Sequence, residues 1–166
     1  MPPLVLVTGG TGFLAKWVIA QLLQQNYRVR TTVRDLSRED EVHASILSAG
    51  IDQDRFFSLE DVDYVQHIAS PLPKSPPKDV KKILRPAIEG TRRVLRLSKG
   101  FGVKRVVVTS SVAAMFYGPA NTEKRRFTEE DWTDLSGDPN SVPLYARSKT
   151  LAELAAWDFW KNESKC

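Results

Sequence analysis

The sequence predicts an α/β protein: a doubly wound parallel sheet with helices on both faces, forming one domain over residues 1–166. Three observations predict it. Short apolar or β-branched runs at 4–8, 28–33, 63–69 and 104–109 alternate with longer segments whose apolar residues recur at helical spacing. The first run ends in a cluster of small residues, Gly9, Gly10 and Gly12, that opens the next helix. With 166 residues, 42% of them hydrophobic and 27% charged, the chain can bury one good core.

Leu4 to Thr8 is apolar up to its last residue and stops at a glycine, as a strand buried on both faces does. From Phe13 onward, Leu14, Trp17, Val18, Ala20, Leu22 and Leu23 fall at helical spacing, and Asn26 offers a stop. Arg28 to Val33 alternates and is β-branched, so it is a second strand. Ser37 is placed as the N-cap of a helix running to about Ala49, with Gly50 beyond it. Asp63 to Ala69 is another strand, and Asp79 to Ser98 is a long helix with basic residues on its wet face. Lys104 to Thr109 is a further strand, and Leu144 to about Lys161 is the last helix. The proline-rich stretch 71–78 reads as a stiff loop between strand and helix, with a pocket rim or a proline-rich docking peptide as the alternatives.

One interval is too short. A nucleotide-binding half with strand order 3-2-1-4 needs a further strand and a crossover helix between Gly50 and Asp63. The only strand-like piece there is Arg55 to Ser58. From its end to the start of the next strand the chain must cover roughly 22 Å, three strand spacings sideways and a strand length back. The steps from Ser58 to Asp63 reach at most about 17 to 18 Å fully extended. Either that strand is absent and 28–33 is an exposed edge, or residues of the native chain are missing around 51–62. The second is expected.

Composition excludes several function classes. The net charge of +4 comes from 24 Lys and Arg interleaved with 20 Asp and Glu. Only Lys124-Arg125-Arg126 is tightly clustered, so no nucleic-acid partner is expected. The single cysteine, Cys166, provides neither a disulfide framework nor a thiolate zinc site. With only His43 and His67 besides, no metal site is expected. The N-terminus lacks the basic and long apolar regions of a signal peptide, and no run approaches the roughly 18 apolar residues of a membrane span. A cytoplasmic setting without membrane association is expected, and monomer and dimer both stay open.

Gly9, Gly12 and Ala15 have the spacing G-x-x-G-x-x-A after a buried strand. Small residues there let backbone approach a pyrophosphate while the helix N-terminus supplies free N–H groups and a positive dipole end. Alone, this pattern leaves a plain tight turn open. Arg34 closes the second strand where an acidic residue usually holds the adenosine ribose. A guanidinium there suits a 2′-phosphate, which favours NADP(H) as cofactor. A surface pair with Asp35 is the plain alternative for Arg34, and Arg38 is either a second phosphate contact or solvated.

Tyr145 and Lys149 lie four apart on one face of the last helix, and Ser110-Ser111 closes the 104–109 strand at the end where open parallel sheets bind ligands. A phenol has an ordinary pKa near 10, so it donates a proton near neutral pH more readily beside a cation. Lys149 can supply that charge, a serine hydroxyl can hold a carbonyl oxygen, and Tyr145 can act as general acid.

These pieces together resemble an extended short-chain dehydrogenase/reductase of the NAD-dependent epimerase/dehydratase superfamily. Within it they are similar to the branch of dihydroflavonol reductase, cinnamoyl-CoA reductase and yeast-type ketone/aldehyde reductases. The matching motifs are VTGGTGFLA, TVRD, DYVQHIASP, PAIEGTRRVL, RVVVTSSVAA, FTEEDWTDL and YARSK, in the expected order over nearly the whole chain. The resemblance implies a Rossmann-type fold and cofactor contacts at Thr8, Gly9, Thr11, Gly12, Phe13, Leu14, Arg34, Ala69, Ser70, Pro71, Tyr145 and Lys149. It implies catalytic roles for Ser111, Tyr145 and Lys149, with Ser111 preferred over Ser110.

The resemblance also implies a mostly C-terminal substrate-binding part beyond residue 166, so the sequence is expected to be truncated there. The family's acidic adenine-binding motif has no counterpart, since Asp61 belongs to the entry into DVDYV. The expected function is NADPH-dependent reduction of a small aldehyde or ketone. An epimerase or dehydratase acting on a nucleotide sugar, and a non-catalytic NADP-binding module, stay open as alternatives.

Overall fold

The computed structural model describes residues 1–48, 61–72, 75, 77, 79–118, 126–138 and 140–163. The strand expected at 55–58 and most of the interval expected to be incomplete lie outside these residues. The chain divides into two compact units: Met1–Ala69 with Leu97–Thr109, and Ser70–Arg96 with Ser110–Cys166.

The first unit is built on a four-stranded parallel sheet in the order β2-β1-β3-β4. The strands are β1 (Leu4–Thr8), β2 (Arg28–Thr32), β3 (Tyr64–His67) and β4 (Arg105–Val108). β1 is central, with Leu4 beside Arg28 and Val5 beside Tyr64, and β4 lies beside β3 with Tyr64 opposite Arg105. As the apolar run predicts, β1 is covered on both sides: Leu4, Val5, Val7 and Thr8 are all buried. Asp63 ties the strand starts together, accepting from the Leu4 amide at 2.8 Å and from Lys104 Nζ at 2.7 Å. The Lys104 bond, with the Leu4 amide second, holds its carboxyl below the usual carboxylate range.

Helix α1 (Phe13–Gln24) supplies Ala15, Ile19 and Leu23 to a core shared with Val5, Val7, Val29 and Val42. It ends where expected. Asn26 takes a left-handed conformation, φ 66°, its amide reaches the Leu23 carbonyl, and the Tyr27 amide reaches the Leu22 carbonyl, at 3.0 Å each. That is the reciprocal pair that closes a helix with a left-handed residue, a conformation asparagine tolerates. The next helix starts differently from expectation. Ser37 sits inside a short 3₁₀ turn, Leu36–Arg38, and its amide is capped by the Asp35 carboxylate at 3.0 Å. Helix α2 (Glu39–Ser48) follows.

Helix α3 (Lys81–Gly100) contributes to both units. Asp79, expected as its first residue, stands outside it and accepts from the Lys81 amide at 2.9 Å. In the second unit, α4 (Leu144–Asn162) and a 3₁₀ turn, Val112–Ala114, meet in a small core of Ala113, Val142 and Ala146 flanked by Tyr117 and Leu135. Thr133, buried, pins the turn: its amide donates to the Ala114 carbonyl at 2.7 Å and its hydroxyl to the Ala113 carbonyl at 2.8 Å. Arg96 of α3 forks onto Glu163 after α4 at 3.0 and 3.1 Å. An exposed pair of this kind adds little to stability.

Gly118 lies at φ +103°, where a Cβ would stand 2.5 Å from the Asp134 carbonyl oxygen. Backbone cannot yield as a side chain does, so Gly118→Ala is expected to destabilise the protein by about 2 to 3 kcal/mol, from left-handed cost plus clash. Urea unfolding of the two proteins measures it, and equal midpoints would contradict the assignment.

Candidate active site

The residues singled out in the sequence fall in both units. Thr8, Gly9, Thr11, Gly12, Phe13, Leu14, Arg34 and Ala69 belong to the first, and Ser70, Pro71, Ser111, Tyr145 and Lys149 to the second.

In the first unit, the turn after β1 is held from both neighbouring strands. The Gly9 and Gly10 amides donate to the Thr32 carbonyl at 3.1 and 2.9 Å, and the Thr31 hydroxyl donates to the Val7 carbonyl at 2.7 Å. On the other side, Thr8 Oγ1 accepts from the Ile68 and Ala69 amides at 3.0 Å each. Its own proton is therefore directed to His67 Nδ1, 2.9 Å away, which makes that nitrogen an acceptor and places the proton of the neutral ring on Nε2. The Thr8 hydroxyl is thus engaged within the protein.

Gly9 has φ +78°, and a Cβ there would come within 3.2 Å of Ala69 Cβ, so the close passage of backbone past Ala69 needs glycine. Gly12 is the N-cap of α1, with no side-chain cap and no acidic residue in the first turn. Free amides and an uncompensated positive dipole end suit an anionic group brought close to backbone, which is what a dinucleotide pyrophosphate requires. Phe13 and Leu14 are exposed beside it.

Arg34 follows β2 and is exposed. The Asp35 carboxylate turns to the Ser37 amide and is held below the ordinary range by that residue, and among the described residues Arg34 makes no ion pair. Arg38 is already forked onto Glu41, at 2.6 and 2.9 Å. Of the two arginines, Arg34 is the one with its guanidinium uncommitted among these residues.

In the second unit, Ser111 is the N-cap of the 112–114 turn, its Oγ accepting from the Ala113 amide at 3.2 Å. A hydroxyl used as acceptor still has its proton to donate. Ser110 behaves differently: its hydroxyl donates to the Glu153 carboxylate of α4. The packing of Ala113 against Ala146 brings the Ser111 turn onto the helix that carries Tyr145 and Lys149. Tyr145 lies in the first turn of α4, 38% exposed, while Lys149 is only 6% exposed. Burial pushes the Lys149 ammonium below the ordinary lysine range, and the Glu153 carboxylate one turn on opposes that shift. Buried Ser148 and Thr150 return their hydroxyls to the Tyr145 and Ala146 carbonyls at 2.7 and 2.9 Å. Their polar groups are satisfied within the helix.

A model of the NAD dependent epimerase/dehydratase family matches residues 5–165. The chain belongs to that family. Anthocyanidin reductase of Arabidopsis thaliana is 36% identical over 172 residues, covering 94% of this chain and 51% of that protein. Cinnamoyl-CoA reductase 2 of the same plant is 32% identical, covering 93% of this chain and 49% of that protein. A crystal structure of Gre2 from Candida albicans in complex with NADPH superposes with TM-score 0.81 at 31% identity, covering 99% of this chain and 54% of that one. The chain spans about half the length of the curated relatives it matches. The fold is the Rossmann-type α/β sheet of these epimerase/dehydratase-family reductases.

Among the described residues, no group of three or more His, Cys, Asp or Glu side chains could hold a metal ion, and no helix is long and apolar enough to cross a membrane. Two features of the site escaped the sequence reading: the Thr8–His67 link and the Ser110–Glu153 bond. For the second a signal exists, since Tyr145, Lys149 and Glu153 follow one another at four-residue intervals along one stripe of α4.

Proposed function

We propose that this chain is the cofactor-binding part of an NADPH-dependent reductase of small aldehydes or ketones, with Tyr145 as general acid. The observation that carries the reading is the second unit's arrangement: a serine with a proton left to donate, packed onto a helix bearing an exposed tyrosine and, one turn on, a buried lysine. NADPH, when bound, supplies hydride to the substrate's carbonyl carbon. Ser111 donates a hydrogen bond to the carbonyl oxygen, which orients it and stabilises developing negative charge. Tyr145 delivers the proton to that oxygen, and the Lys149 cation favours the phenolate left behind. The first turn of α1 and the Gly9 turn receive the pyrophosphate, Arg34 receives the 2′-phosphate, and Ala69, Ser70 and Pro71 line the cofactor. Lys149 also binds the nicotinamide ribose. The reductase names of the relatives support this reading over epimerisation of a nucleotide sugar.

The sequence-length argument also bears on the proposal. The anthocyanidin reductase match runs over 172 positions, more than the 166 residues of this chain, so that alignment includes positions with no residue here. The region that shapes the substrate pocket belongs, in this reading, to sequence beyond residue 166.

NADPH oxidation by the full-length protein against a panel of small aldehydes and ketones tests the reductase reading. Turnover of at least one carbonyl is expected; NADPH binding with no turnover across the panel would leave the non-catalytic module in its place. Arg34→Ala is expected to weaken NADPH by about 10-fold or more, the loss of a charge-assisted pair, while NADH affinity stays within about twofold. Titration of nicotinamide fluorescence measures both. An equal loss for the two cofactors removes the 2′-phosphate assignment.

A further inference from the structure

Glu153 has no part in the chemistry above, yet it shares a helix stripe with both reacting side chains. The segment that carries Ser111 is fastened to α4 at two places. Ala113 packs with Ala146 in the small core, and the Ser110 hydroxyl donates to the Glu153 carboxylate. Seven helical steps separate the two anchors on α4, about 10 Å of rise. Ser110 and Ala113 are three residues apart, and the second half of that segment is wound into the 3₁₀ turn. Ser111 itself is extended, φ −154° and ψ 147°. Ser111 stands between the two attachments of this segment to α4, Ser110 at Glu153 and Ala113 in the small core.

We propose that Glu153 is a positioning residue: by accepting the Ser110 hydroxyl it clamps the Ser110–Ser111 segment onto α4 and fixes the placement of Ser111 relative to Tyr145 and Lys149. The proposal rests on the reductase reading for its catalytic consequence, but the clamp is a structural statement that can be read without turnover. Neither anchor suffices by itself. Ala113 and the amides of the 3₁₀ turn hold Ser111 from its C-terminal side, and the Glu153 bond is the side-chain tie of Ser110 to α4.

The test uses the full-length protein with Glu153→Ala, Ser110→Ala, the double variant and Glu153→Gln. Glutamine keeps a carbonyl oxygen to accept from Ser110 but carries no charge. Each alanine variant is expected to lower kcat by about 10-fold or more, as a small misplacement of a reacting group does, with NADPH Kd and substrate KM within about twofold. The double variant should be no worse than the poorer single one, because both remove the same bond. Glu153→Gln should recover kcat to within about threefold of wild type. In parallel, amide hydrogen exchange at 111–114 should speed up in Glu153→Ala and not in Glu153→Gln. Additive losses, or exchange at 111–114 unchanged in Glu153→Ala, would overturn the clamp. If glutamine behaves as alanine does, the charge rather than the hydrogen bond matters and the clamp is equally overturned. A wild-type protein that binds NADPH without reducing any carbonyl defeats the reductase reading alone, and the exchange data still decide the clamp.

Discussion

Tyr145→Phe is expected to lower kcat for carbonyl reduction by about 10² to 10⁴-fold while leaving NADPH affinity within about twofold. Only the phenolic oxygen is lost. The ring stays, and Tyr145 is 38% exposed, so no buried cavity opens. The interaction the residue makes within α4, its carbonyl accepting the Ser148 hydroxyl, belongs to the backbone and survives the change. Loss of rate with the thermal midpoint unchanged therefore isolates the proton transfer. Pre-steady-state measurement of NADPH oxidation checks it, and turnover close to wild type would mean that another group protonates the oxygen.

Lys149→Met should abolish most turnover, again by about 10²-fold or more, yet leave the protein as stable as wild type or more stable by up to about 1 kcal/mol. Lys149 is a buried cation whose pKa burial lowers. In the unfolded chain it titrates at the ordinary lysine value, about 10.4. Between the lowered native value and that point the unfolded state binds more protons, so the contribution of this residue to stability rises with pH through that window. Below the window both states carry the charge and the native state bears the whole cost of burying it. Methionine, similar in length and uncharged, relieves that cost at neutral pH. Urea unfolding near neutral and alkaline pH distinguishes the outcomes: the advantage of the variant should shrink as pH rises. A marked loss of stability in Lys149→Met would mean that the ammonium is a net structural asset.

Much of the first unit was legible because its signals are local. β1 occupies the expected residues, since an apolar run ending in glycine is unambiguous when both faces are covered. The end of α1 was legible in Asn26 for the same reason: the left-handed turn is a property of that residue. Where side chains replace backbone partners, boundaries moved. β3 is shorter than the expected 63–69 strand, and at its C-terminal end the Thr8 hydroxyl takes the amides of Ile68 and Ala69. Ser37 has the chemistry of a cap, but Asp35 does the capping. The pairing of Tyr145 with Lys149 on one helix is readable from their four-residue spacing. The Ser110–Glu153 bond joins residues 43 apart and Thr8–His67 residues 59 apart, and no periodicity encodes such meetings.

The supports of the Gly9 turn bear on how the protein is made. Every group that holds the turn is encoded after it: Thr31 and Thr32 on one side, then His67, Ile68 and Ala69 on the other. A nascent chain that has emerged only through α1 carries the glycine motif without its scaffold. At synthesis rates of about 5 to 20 residues per second, several seconds pass before the third strand can close on Thr8. The glycine turn is encoded first and completed late.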